Sequence, residues 1–113
     1  MNKQGRKAEV NGLDPKKQAP FFDMLMEIVF NDKKPPENVH EQVKKITIDI
    51  VNVIALEISK VGFWGNPHKE KCLRALIDDI LLYSKIQKLV DKKEQIVTDF
   101  MKLAKNRKEA ILD

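Results

Sequence analysis

The sequence holds one cysteine, Cys72, which excludes an intramolecular disulfide and a four-thiolate zinc site. A reducing compartment, the cytosol, is the simplest setting for such a chain. Aromatic residues are scarce at 6%, and the 113 positions include only four glycines and five prolines. With 42% hydrophobic residues beside them, these proportions exclude a collagenous, disordered or disulfide-stapled chain. Long apolar runs are also missing. The longest mainly apolar stretch, Ile46 to Ile58, is interrupted by Thr47, Asp49, Asn52 and Glu57, whereas a bilayer-crossing helix needs about 20 predominantly apolar residues. Lys3, Arg6 and Lys7 have no apolar segment behind them, so no export signal is expected. Residues 1–12 read as a mobile polar lead-in and residues 13–113 as a single domain.

What the chain does hold is charge, 34% of all residues. A mass of 13.1 kDa corresponds to about 19,000 Å² of surface unfolded and about 6,400 Å² folded, enough burial for one core. The net charge of +4 is uneven: residues 1–19 carry +3, residues 20–84 carry −2 and residues 85–113 carry +3. The pI of 9.2 therefore describes the two ends rather than the body. A basic periphery raises non-specific affinity for nucleic acid without specifying a sequence.

Asp14 followed by Pro15 is a helix-start signal, but Pro20 cannot sit deep in a helix begun there. The expectation is a short turn over Pro15 to Ala19, then a helix from about Pro20 to Asn31. Phe21, Met24, Leu25, Ile28 and Val29 form its apolar stripe. Pro35 and Pro36 break the chain. The β-branched run after them imitates a strand, yet Val39, Val43, Ile46, Ile50, Val53, Ile54, Ile58 and Val61 step by three and four, which predicts one long central helix to about Lys60. Gly62 suits a left-handed helix end with Phe63 folding back onto it. Asn66, Pro67 and Glu70 start a third helix to about Tyr83, with Leu73, Leu76, Ile77, Ile80 and Leu81 inward. A last helix is expected from about Val90 to at least Arg107, burying Ile96, Val97, Phe100, Met101, Leu103 and Ala104. The fold class is all-α: a bundle of about four helices, mostly antiparallel, with the second one central.

Catalytic signals are few. Gly62 and Gly65 have no following Lys-Ser/Thr, so there is no phosphate loop. Asp78 and Asp79 are helix neighbours that point about 100° apart and make no metal cage. His68 and Cys72 are one turn apart, but two ligands are not a site, and His40 is the only other imidazole. No catalytic, cofactor-binding or metal-ligating residue is assigned. Trp64, the only tryptophan, lies between two glycines at a corner, where a large ring either plugs the bundle or anchors a partner.

Several segments resemble a known family. They are Leu13-Asp14-Pro15, the Ala19 to Leu25 stretch APFFDML, the VKKI of Val43 to Ile46 and the corner VGFWGNP of Val61 to Pro67. Leu73 to Leu82 (LRALIDDILL) and Met101 to Arg107 (MKLAKNR) complete the set. Over about residues 13–108 the chain resembles the C-terminal helical region of the R (restriction and translocation) subunit of type I restriction enzymes; Pro20 departs from the usual opening helix. The resemblance implies a piece of a larger ATP-dependent, site-specific deoxyribonuclease whose nuclease and translocase motors, and hence ATP and Mg, lie elsewhere. It implies a cytoplasmic, non-catalytic domain that docks the subunit onto a methyltransferase core and meets DNA through the whole complex, with no membrane and no small-molecule substrate. Phe63 and Trp64 are the expected partner contacts, with basic residues of the last helix at the rim. The alternative is a non-specific nucleic-acid-binding module using Lys92, Lys102 and Lys105, with Lys93, Arg107 and Lys108 beside them.

Overall fold

A computed structural model describes residues 13–31, 33 and 35–112, and the expected lead-in 1–12 lies outside them. Leu13 is buried, and the chain turns directly after it. Asp14 Oδ1 accepts hydrogen bonds from the backbone N–H groups of Lys16 and Lys17, both at 2.8 Å. In return the Asp14 N–H donates to Gln18 Oε1 at 2.9 Å. The bond from Lys17 foremost holds the Asp14 carboxyl below its ordinary value, since each N–H favours the charged form. This closed turn over 15–18 lets the first helix, α1 (Ala19–Phe30), place Pro20 in its first turn, where a missing N–H costs nothing. Asn31 ends α1 in the left-handed conformation, φ 55°.

Helix α2 (Glu37–Ile58) contains the whole β-branched run, so the helical period outweighs the strand-like composition. Its buried line is Val43, Thr47, Ile50, Val51, Ile54 and Ile58. Thr47 is tolerated there because its hydroxyl donates to Val43 O at 2.8 Å. Val61 does not extend the line: it lies past the helix end and is 93% exposed.

Helix α3 (Pro67–Tyr83) buries Leu73, Ile77 and Leu81, while Leu76, expected inward, is 40% exposed. The connector that follows turns at Lys85, whose φ is 62°. The last helix, expected from about Val90, instead starts three residues earlier and comes as three pieces, α4 (Gln87–Asp91), α5 (Lys93–Asn106) and α6 (Lys108–Leu112). Its first break is at Lys92, φ −106° and ψ 11°, and its second at Arg107, φ −116° and ψ 24°. Lys92 N and Arg107 N still donate one turn back, to Lys88 O at 3.3 Å and Leu103 O at 2.9 Å, and no Gly or Pro announces either break.

The long helices α1, α2, α3 and α5 close a bundle around Phe21, Leu25, Ile50, Ile54, Ile77 and Phe100. Phe21 and Phe100 meet edge to face, 5.1 Å between centroids, a pair worth about 0.5–1.5 kcal/mol beyond its buried area. Residue order reverses across two contacts. Arg74 and Asp78 of α3 reach Thr98 and Lys93 of α5, and Phe21 and Lys16 meet Phe100 and Arg107. Helix α5 is therefore antiparallel to both α1 and α3. The first two helices depart from a plain hairpin, because the Phe22 and His40 rings, both from opening turns, stand 5.4 Å apart. Helix α2 touches α1, α3 and α6, whereas α5 touches α1, α3, α4 and α6, so the second helix does not hold the uniquely central position expected of it. The Cα radius of gyration is 14.0 Å, close to the ~13 Å of a compact chain this long.

Candidate functional site

The corner between α2 and α3 is held by backbone geometry and four polar contacts. Gly62 and Gly65 adopt φ of 74° and 96°, which side-chain-bearing residues rarely reach. Asn66 Oδ1 accepts from Lys69 N at 3.1 Å and caps α3. Glu70 Oε2 accepts from Gly65 N at 3.0 Å, and Lys69 Nζ donates to Val61 O at 2.9 Å. Asn66 N donates to Phe63 O at 3.1 Å. The backbone course of the corner therefore follows from the local sequence.

The two rings have different fates. Phe63 is 1% exposed, so it belongs to the core and offers no surface to a partner, contrary to the expectation that it would share the contact. Trp64 is half-buried and stands edge to face on Phe63, with centroids 4.8 Å apart and planes at 87°. Its indole Nε1 is buried and has no hydrogen-bond partner among the described residues. A buried N–H without an acceptor costs about 1–3 kcal/mol.

Trp64 forms one wall of an open hollow of about 180 Å³ whose other walls come from Glu70 and Arg74 of α3 and Met101, Lys102 and Lys105 of α5. Arg74 Nη2 donates to Thr98 Oγ1 at 3.2 Å, which fixes the guanidinium across the α3/α5 seam. Three cations thus face one carboxylate, and that carboxylate is engaged with Gly65 N–H. The hollow can hold a flat or apolar group against Trp64 and Met101 while its rim attracts negative charge.

Residues expected to serve two different functions therefore meet here, Trp64 from the docking reading and Lys102 and Lys105 from the nucleic-acid reading. Lys92 does not join them, because ten residues of helix separate it from Lys102 by about 15 Å and the turn at Lys92 breaks the face. Nor does Lys93, which pairs with Asp78 at 2.9 Å. That hydrogen bond raises the Lys93 pKa above the ordinary lysine value. Arg107 binds Lys16 O at 3.3 Å and serves the fold. Arg74 and Met101 were not legible as site residues, since their sequence signals are those of an ordinary helix surface and an ordinary core stripe.

The remaining chemical candidates stay apart. His68 Nε2 and Cys72 Sγ are 3.9 Å apart on the exposed side of α3, and no group of three or more His, Cys, Asp or Glu gathers among the described residues. Asp78 faces α5, while Asp79 lines a groove against α2. No helix among the described residues is long and apolar enough to cross a membrane. No protein-family model matches the chain, and no match stands among curated proteins or solved structures.

Proposed function

We propose that this bundle is a non-catalytic docking domain, of the kind that holds the ATP-dependent translocase and nuclease of a type I restriction enzyme to its methyltransferase core. The observation that carries the docking reading is the Trp64 hollow: an aromatic ring seated on a buried neighbour, an apolar Met101 wall and a rim of Arg74, Lys102 and Lys105. Half-buried tryptophan ringed by polar groups is the composition of a binding hot spot. The choice of partner rests on the sequence resemblance alone. Its distinctive residues serve the frame: Leu13, Phe21, Phe22 and Phe63 are buried, and Asn66 caps α3. A titration of the folded chain against a purified type I methyltransferase complex tests the proposal. Micromolar or tighter binding, weakened at least tenfold by Trp64→Ala with the helical circular dichroism retained, is the expected result. A folded wild-type chain that does not bind at micromolar concentration overturns it.

One observation favours a second reading, a surface for single-stranded nucleic acid. Stacking on an aromatic ring beside backbone-tracking cations is how such strands are held without sequence preference, and Trp64 stands with three cations. On that reading an oligonucleotide binds with log K falling against log salt at a slope of about −2, from the weaker counterion release of single strands across three contacts. Lys102→Glu with Lys105→Glu abolishes the binding. Salt-insensitive binding, or none, removes this reading.

A further inference from the structure

Helix α3 carries a second surface on the side turned away from the Trp64 hollow. At 100° per residue, Leu76, Asp79, Ile80 and Tyr83 lie about 160° around the helix from Glu70 and Arg74. With Ile46, Asp49 and Val53 of α2 they line an open groove of about 430 Å³. Ile46, Val53 and Ile80 form its partly buried floor, while Leu76 is 40% exposed and Tyr83 is 76% exposed. Leu56, one turn beyond Val53 on α2, is 65% exposed and prolongs the stripe. Single exposed leucines are ordinary, whereas a continuous apolar seam between two helices is what an amphipathic helix covers.

The charge of the groove narrows the occupant. No cation lines it, and its two carboxylates, Asp49 and Asp79, have no ion pair or hydrogen bond among the described residues. Lys45, one turn before Asp49, is exposed and does not pair with it. In a chain of net charge +4 this seam is locally negative, opposite in sign to the rim of the Trp64 hollow. A second copy of the chain fits poorly, because a two-fold contact through the groove sets Asp49 and Asp79 against their own counterparts. Nucleic acid is disfavoured by the same carboxylates.

We infer that the α2/α3 groove is a docking site for an amphipathic helix of a partner protein, apolar at i, i+3 or i+4 and i+7, with lysine or arginine on its flanks. The apolar side chains bury against Val53, Leu76 and Ile80. The flanking cations reach Asp49 and Asp79, and the Tyr83 ring offers its face to one of them. From Ile46 to Val53 the groove runs about 10 Å, two helical turns, and Leu56 lies one turn further along α2. The site is independent of the Trp64 corner and does not rest on the function proposed there.

A display selection tests the inference, with random peptides of about 16 residues, four helical turns, panned on the full chain. The expected winners share the apolar spacing and a net positive charge. A synthetic copy binds with micromolar Kd, Leu76→Glu abolishes the binding, and Asp49→Lys with Asp79→Lys weakens it at least tenfold. Because Asp49 and Asp79 are exposed, the lysine pair keeps the test valid should Leu76→Glu unfold the chain. No enrichment, enrichment of acidic peptides, or binding that survives all three substitutions overturns the inference. Self-association in sedimentation that Leu76→Glu removes also overturns it, by making the groove a contact between copies.

Discussion

Replacing each ring of the corner by alanine separates a plug from an anchor. A domain of about 100 residues has a total stability of about 5–15 kcal/mol. Phe63 is 1% exposed, so Phe63→Ala leaves a cavity and is expected to cost about 3–5 kcal/mol. Trp64 is half-buried, and its indole N–H already lacks a partner among the described residues. Removing it forfeits about two thirds or more of a full aromatic burial, about 2–4 kcal/mol, offset by the about 1–3 kcal/mol that the unsatisfied N–H was costing, for a net loss of no more than about 2 kcal/mol. With an unfolding entropy of about 2.1 cal/mol/K per residue, each kcal/mol moves Tm by about 4 °C. Phe63→Ala should therefore lower Tm by about 12–20 °C and Trp64→Ala by no more than about 8 °C. Thermal and urea unfolding followed by circular dichroism at 222 nm reads both values, and an unchanged m-value certifies that the same transition is compared. If Trp64→Ala destabilises as much as Phe63→Ala, the indole is a structural plug and the anchor reasoning fails. If Phe63→Ala costs less than about 1 kcal/mol, the corner is not packed as described.

Three further outcomes follow from the local geometry. Asp14→Ala should cost about 1 kcal/mol at neutral pH and Asp14→Asn much less, because either amide or carboxylate oxygen accepts from the N–H groups of Lys16 and Lys17. The native carboxyl titrates below its unfolded value, so the charged form's extra stabilisation is full above about pH 3.9 and is lost as pH falls through the lower native value. The gap between wild type and Asp14→Asn, measured by urea unfolding, should close on acidification; a constant gap refutes the assignment. Gly62→Ala should destabilise by about 1 kcal/mol despite open space around it, since only φ 74° opposes a side chain there. Lys85→Gly should stabilise by about 0.5–1 kcal/mol, since Lys85 holds φ 62°. Two effects of the same sign in thermal unfolding would refute the backbone account. Asn66→Ala removes the acceptor for Lys69 N–H and should cost about 1 kcal/mol, read as a lower urea midpoint; no change means that the cap is dispensable.

Much of this molecule is written locally. The turn before α1, the helical reading of the Ile46 to Ile54 run, the left-handed Gly62 and the Asn66-Pro67 start of α3 all appear where neighbouring residues require them. Helix punctuation and period are short-range properties, decided by hydrogen bonds and sterics within about four residues. The breaks at Lys92 and Arg107 carry no such signal. The short helices that they set off, α4 and α6, each bury one residue, Leu89 and Ile111, and α6 packs on the distant α2.

Helicity, the starts of α1 and α3 and the broadly apolar faces are legible along the chain, because propensity, capping and period are short-range properties. Packing between distant helices sends Phe63 inward and leaves Trp64 half-out, keeps Leu76 and Tyr83 in solvent beside Asp49 and Asp79, and brings Trp64 to Arg74, Lys102 and Lys105. A helix stripe says how much apolar surface is available. How much of it is covered depends on the width and angle of the neighbouring helices, and that is set by packing between residues far apart in the chain.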